Sequence, residues 1–133
     1  MNCNYQGAIT ETRIMLECLK NEIEISIPYG NKARYDLIIE INNNLYKVQI
    51  KTSRLAKTQG KAFMFNCYSV VNGKKCKYTK QEIDFFATIW EDEVYLIPVE
   101  ECSSEKTLWI DTPTMPSCCI AKKYLLSEVI KTL

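Results

Sequence analysis

The stretch from Asp36 to Lys51 constrains what this chain can fold into more than any other. Before Asn42–Asn43–Asn44 the residues alternate, with Asp36, Ile38 and Glu40 on one face and Leu37, Ile39 and Ile41 on the other. After it, Lys47, Gln49 and Lys51 share one face and Tyr46, Val48 and Ile50 the other. A period of two marks a half-buried strand, and asparagine tolerates the positive φ that a tight turn needs. The pattern predicts antiparallel strands over 36–41 and 46–51. A two-residue turn at Asn42–Asn43 sets Asp36 opposite Gln49, and a turn one residue later sets it opposite Lys51. Either register is expected to gather Asp36, Gln49 and Lys51 on one sheet face, with opposed Cβ atoms about 4.5–5.5 Å apart.

The remaining elements fit around this hairpin. Residues 7–20 read as an amphipathic helix buried along Ala8, Thr12, Met15 and Leu19, with Arg13, Glu17 and Lys20 on its wet side. Glu11 falls at the edge of that stripe and is expected to be half-buried. Short strands are predicted over 24–28, 62–68, 86–90, 93–99 and 107–111. A polar loop is predicted over 71–77 around Asn72–Gly73, a helical turn over 81–85 and an irregular connection at Pro113 and Pro116. Residues 121–133 read as a closing amphipathic helix. The chain has 133 residues, the size of one domain, and the order helix, strand block, helix predicts a single α/β domain over 1–133 with a mixed sheet at its centre.

Composition removes whole classes of chemistry. Histidine is absent, which excludes Ser–His–Asp hydrolases, Cys–His proteases and His-ligated zinc enzymes. No apolar run approaches the ~20 residues of a membrane span and no export signal is present, so a cytoplasmic protein without membrane association is expected. The seven cysteines form no CxxC pair and read as reduced thiols. A weaker alternative brings Cys67 and Cys76 together across a hairpin with Cys118 and Cys119 as a zinc module. Charge is segregated: residues 1–46 carry a net −2, residues 47–80 carry nine basic side chains and no acid, and residues 81–133 carry a net −6. Such a basic block is either a phosphate-binding surface or a solvated face balanced by acids elsewhere in the fold.

An aspartate opening one strand and a D/E-x-K triplet in the next resembles the PD-(D/E)XK nucleases. Asp36 takes the first position, with Tyr35 where the family name has proline, and Gln49–Ile50–Lys51 takes the triplet with glutamine replacing the acid. Glu11, within Gly7–Ala8–Ile9–Thr10–Glu11, supplies the upstream helical glutamate. Glutamine in the triplet, together with the stretches 78–87 and 94–100, is similar to the branch of group I intron-encoded homing endonucleases. The likeness runs from Gly7 to about Glu100. It implies a restriction-endonuclease-like core in which a central mixed sheet is flanked by helices.

The resemblance also implies a chemistry. Asp36 would be the main ligand of Mg²⁺, with Mn²⁺ as a substitute, because Mg²⁺ takes oxygen ligands and keeps several waters. The carbonyl oxygens of Gln49 and of the Ile50 backbone would join it, and Glu11 would hold the ion directly or through water. Lys51 would orient the attacking water or stabilise phosphate charge. Arg54, Lys57, Lys61, Lys74, Lys75 and Lys77 would contact DNA phosphates, while Phe63, Phe65, Tyr68 and Tyr78 read as core. The expected activity is endonucleolytic cleavage of DNA, of the site-specific homing type. With one site per domain, a homo-oligomer, dimer or tetramer, is needed to cut a duplex. A junction-resolving nuclease and a decayed DNA-binding protein are the alternatives.

Overall fold

The computed structural model describes residues 2–30, 32–58, 60–110 and 119–133. Helix α1 (Cys3–Lys20) starts where the Asn2 side chain accepts the Asn4 N–H at 2.9 Å, and it stops at Asn21 and at Glu22, whose φ is +58°. Its buried face carries Ile14 and Cys18, flanked by half-buried Glu11, Met15 and Glu17. This corrects the expected stripe, since Ala8, Thr12 and Leu19 face outward. Glu17 is likewise not on the wet side. The physical reason is that α1 has two apolar stripes on opposite faces, and periodicity alone cannot say which one meets the core.

The strands that follow are β1 (Glu24–Ser26), β2 (Leu37–Ile41), β3 (Asn44–Ile50), β4 (Arg54–Leu55), β5 (Ala62–Asn66), β6 (Tyr68–Val71), β7 (Lys74–Lys77), β8 (Phe85–Trp90), β9 (Glu93–Pro98) and β10 (Glu105–Trp109). Five of them make a mixed sheet in the order β1-β2-β3-β8-β9, in which only β3 and β8 run parallel. The pair β2–β3 adopts the first of the two expected registers, with Leu37 across from Val48 and Ile41 across from Asn44. Asn42 and Asn43 turn it with φ values of +53° and +66°. Asn72–Gly73 and Glu91–Asp92 turn β6–β7 and β8–β9 with the same pair of positive φ angles. Residues 71–77 are therefore largely a hairpin strand, not the expected polar loop.

Parallel strands need a long crossover, usually a helix. Here the connection from β3 to β8 is made of strand instead: β4 and β5, which form a three-stranded sheet in the order β10-β5-β4, and the separate β6–β7 hairpin. The second sheet covers one face of the central sheet, burying Phe63, Phe65 and Leu108 against Phe86, Tyr95 and Ile97. Helix α1 and the short α2 (Leu126–Ile130) cover the other, around Ile14, Leu37, Ile39, Val48, Ile50 and Phe85. The closing helix expected over 121–133 is broken, because Leu125 is extended and bridges to Tyr95 of β9. A 3-10 turn (Ala121–Tyr124) precedes it and α2 follows. The connection at Pro113 and Pro116 lies outside the described residues.

The β2–β3 turn holds two non-glycine residues in the left-handed region, where a β-branched side chain costs roughly 1–2 kcal/mol per residue. Asn42→Val and Asn43→Val are expected to lower the free energy of unfolding in urea by that amount each. Unchanged midpoints would show that the turn does not fix the register.

Candidate active site

At the open end of β2–β3, strand pairing stops at Leu37, and Asp36 lies one residue beyond it. Its backbone N–H donates to the Val48 carbonyl at 2.8 Å, and its carboxylate accepts the Ile50 N–H at 2.8 Å. Asp36 therefore belongs beside Gln49–Ile50, as the shorter register requires. Helix α1 lies over this end of the sheet and places Glu11 in the same cavity of about 300 Å³, with Met15, Tyr35, Asp36 and Ile50 among its walls. The Asp36 charge is felt at Glu11. Burial first and the Asp36 charge second push the Glu11 carboxyl above its usual range. Burial raises Asp36 too, against the opposing pull of the Ile50 N–H and of Lys51.

Not every predicted residue lies inside that cavity. Gln49 is not one of its walls; its amide nitrogen lies 3.4 Å from the carbonyl of Ile50, which is one, at the outer limit of a hydrogen bond. Lys51 reaches the other way and donates to the Tyr68 carbonyl at 2.9 Å, with its ammonium 5.3 Å from the Tyr78 ring centre. Asp36, Gln49 and Lys51 thus cluster around the strand end without lining up in one row. Burial lowers the Lys51 pKa, the Asp36 and Cys67 charges oppose this, and the Arg34 guanidinium adds to it.

Arg34 is the residue that sequence reasoning missed. It donates to both Glu82 carboxylate oxygens at 2.9 and 3.0 Å, to Ser69 Oγ at 2.6 Å and to the Lys77 carbonyl at 3.0 Å. Its guanidinium stacks 3.9 Å over the Tyr78 ring. Two residues before Asp36 in sequence, it ties the β6–β7 hairpin to the strand that carries the site. Its partners lie 35 to 48 residues away, so no local motif reveals it.

The basic block is partly neutralised in space. Arg54 pairs with Glu105 at 3.5 Å, Lys61 with Glu91 at 3.1 Å, and Lys80 with both Asp84 and Glu100. Among the described residues, Lys57, Lys74, Lys75 and Lys77 are exposed and make no ion pair, and the last three stand on the β6–β7 hairpin. Phe63 and Phe65 are fully buried, as expected of core, while Tyr68 and Tyr78 are half-buried beside the lysines. Lys75 lies 4.6 Å over the Tyr68 ring.

The donor set suits an oxygen-seeking cation. Two partly buried carboxylates share one cavity, and among the described residues neither is bonded to a cationic side chain. A like-charged pair of this kind is relieved by a divalent ion, and the Ile50 carbonyl and the Gln49 amide oxygen are the neutral donors that could join it. The described residues hold no group of three or more His, Cys, Asp or Glu, so the thiol–zinc arrangement is not formed among them; Cys118 lies outside.

A carboxyl whose pKa is raised by folding holds its proton more tightly in the fold than in the unfolded chain. Its stabilising effect is thus present at low pH and is lost as the pH rises through the folded value, leaving a cost at neutral pH. Asp36→Asn keeps an acceptor oxygen for the Ile50 N–H and removes the charge. It is expected to stabilise the metal-free protein at pH 7 by up to about 1 kcal/mol, the low side of such gains because water reaches Asp36. The gain should vanish below about pH 4. Denaturation at the two pH values checks this, and a destabilised variant at pH 7 would contradict it.

Comparison with known proteins agrees with the fold. A family model described as PD-(D/E)XK endonuclease matches residues 1–117. A bacterial homing endonuclease, I-Ssp6803I, superimposes with a TM-score of 0.78 at 18% identity, covering 99% of this chain and 95% of that one. At that identity the likeness is one of fold. No curated protein sequence matches significantly. On the extent of the family match, the chain belongs to the PD-(D/E)XK endonucleases.

Proposed function

We propose that this protein hydrolyses DNA phosphodiester bonds with Mg²⁺ and makes site-specific, homing-type double-strand cuts as a homo-oligomer. The observation that carries the reading is the Glu11–Asp36 carboxylate pair, packed into one cavity against Ile50 and, among the described residues, bonded to no cationic side chain. A divalent ion bound there would neutralise phosphate charge and supply a hydroxide-like nucleophile. The chain's own groups do the rest. Asp36, fixed by the Ile50 N–H, keeps an oxygen aimed into the cavity, and Glu11 closes it from the helix side. Gln49 contributes a neutral oxygen where the family motif has an acid, which weakens the hold on the ion without removing a ligand position.

Lys51 serves the phosphate. Its ammonium is partly desolvated and held on the Tyr68 carbonyl, outside the cavity, and its charge is still felt at Asp36. It can orient the attacking water or balance charge as the leaving oxygen departs. Lys57, Lys74, Lys75 and Lys77 are free to meet flanking phosphates, whereas Arg54 and Lys61 must first give up Glu105 and Glu91. The likeness to a homing endonuclease and the glutamine in the triplet support the site-specific form of the activity.

The test is cleavage of a complex DNA mixture that includes four-way junctions, with Mg²⁺ or Mn²⁺, followed by sequencing of the new ends. Ends are expected to cluster at one motif, to vanish with chelator, and to fall by about 10²-fold or more for Asp36→Ala and Lys51→Ala, the scale of losing one charge-stabilising group. Ends concentrated at junctions would replace the homing reading with a resolving one. Ends that persist in Asp36→Ala would overturn the assigned site.

A further inference from the structure

The outward face of α1 is apolar at a regular spacing. Tyr5, Ile9, Leu16 and Leu19 are 70%, 44%, 52% and 58% exposed, and Thr12 completes a series spaced four, three, four and three residues apart. That is the repeat of a helix seam, in which every second step returns the side chain to one line. The stripe lies opposite Ile14 and Cys18, which hold α1 on the sheet, and about a third of a turn round the helix from Glu11 in the cavity. Thr12 donates its hydroxyl to the Ala8 carbonyl at 2.8 Å, so its polar atom is satisfied within the helix. Arg13, at the margin of the stripe, is drawn away by its ion pair with Asp92.

The surface also has the shape a facing helix requires. Tyr5, Ala8, Ile9 and Thr12 stand at positions i, i+3, i+4 and i+7 and, with Arg13, enclose an apolar hollow of about 230 Å³. Four residues at this spacing form the hole that accepts one side chain of a neighbouring helix. The exposed apolar patch is on the order of 400 Å², the size that marks an interaction site on a single chain. Two such patches face to face, with their flanks, remove on the order of 1,000 Å², the lower bound for a specific interface.

We infer that the Tyr5–Leu19 stripe of α1 is a self-association surface, occupied by the same helix of a second copy of this chain. A two-fold axis lets one stripe serve both partners, and a matching heptad spacing is what each side needs of the other. Of the described helices, α1 with 18 residues is long enough to present such a seam, whereas α2 has five. The stripe's hollow and the Glu11–Asp36 cavity share no lining residue. The inference rests on the assembly proposed above and names its surface.

Sedimentation equilibrium at tens of micromolar tests it without reference to cleavage, so failure of the nuclease reading leaves the result interpretable. The wild-type chain is expected at twice its 15.4 kDa or a higher even multiple. Ile9→Glu/Leu16→Glu is expected at half the wild-type mass or less, with its helical circular dichroism retained. Leu19→Lys gives the same readout should that double variant unfold. Leu45→Glu, an exposed leucine on β3, should leave the mass unchanged. A wild-type monomer, an assembly unaffected by the α1 variants, or one dissociated equally by Leu45→Glu would each overturn the inference.

Discussion

Where β2 stops pairing at Leu37, the Asp36 carboxylate takes over the next strand position, accepting the Ile50 N–H at 2.8 Å. The site depends on that bond. It ends the sheet ladder without leaving a buried amide unpaired, and it holds one carboxylate oxygen at the floor of the cavity. It also costs something, since the Asp36 carboxyl is raised by burial despite the bond and despite Lys51. Glu11, brought in by α1, adds a second charge to the same space. An arrangement that is unfavourable by itself and relieved by a cation is what a metal-dependent site requires.

The acid-free stretch 47–80 acquires a structural meaning from the topology. It is the end of β3 together with the crossover from β3 to β8, and it forms the second sheet's β4 and β5 as well as the β6–β7 hairpin. The crossover leaves directly from Lys51, and its β6–β7 hairpin, with Lys74, Lys75 and Lys77, returns to that residue through the Tyr68 carbonyl. Arg34 and Glu82 then brace the hairpin from below, and Lys51 touches it through the Tyr68 carbonyl. The hairpin that carries the exposed lysines is thus tied by polar contacts to the two residues, Arg34 and Lys51, that stand near Asp36 and Ile50 in the chain.

Much of this was legible in the residues, for identifiable reasons. Period-two alternation and an asparagine turn located β2 and β3, and limited the register to two choices that both put Asp36 near the Gln49–Ile50–Lys51 segment. Helical periodicity located α1 but chose the wrong face, because Ala8, Thr12 and Leu19 repeat as regularly as Ile14 and Cys18 do. The strands expected over 86–90 and 93–99 left Glu91–Asp92 between them, but not its positive φ angles, which neither residue advertises as glycine or asparagine does. The break at Leu125 depends on a bridge to Tyr95, thirty residues upstream, and Arg34 depends on partners as distant. Local patterns report local structure; the contacts that brace this site are long-range.

The central claim is that Glu11 and Asp36 form one cation-seeking pair, and the most direct measurement is a carbon-13 NMR titration of their side-chain carboxyls with and without Mg²⁺. Without the ion, both should titrate above the ordinary carboxylate range and perturb one another. With it, both values should fall together, because a bound cation favours the charged forms. Ordinary, independent titrations that Mg²⁺ leaves unmoved would contradict the account.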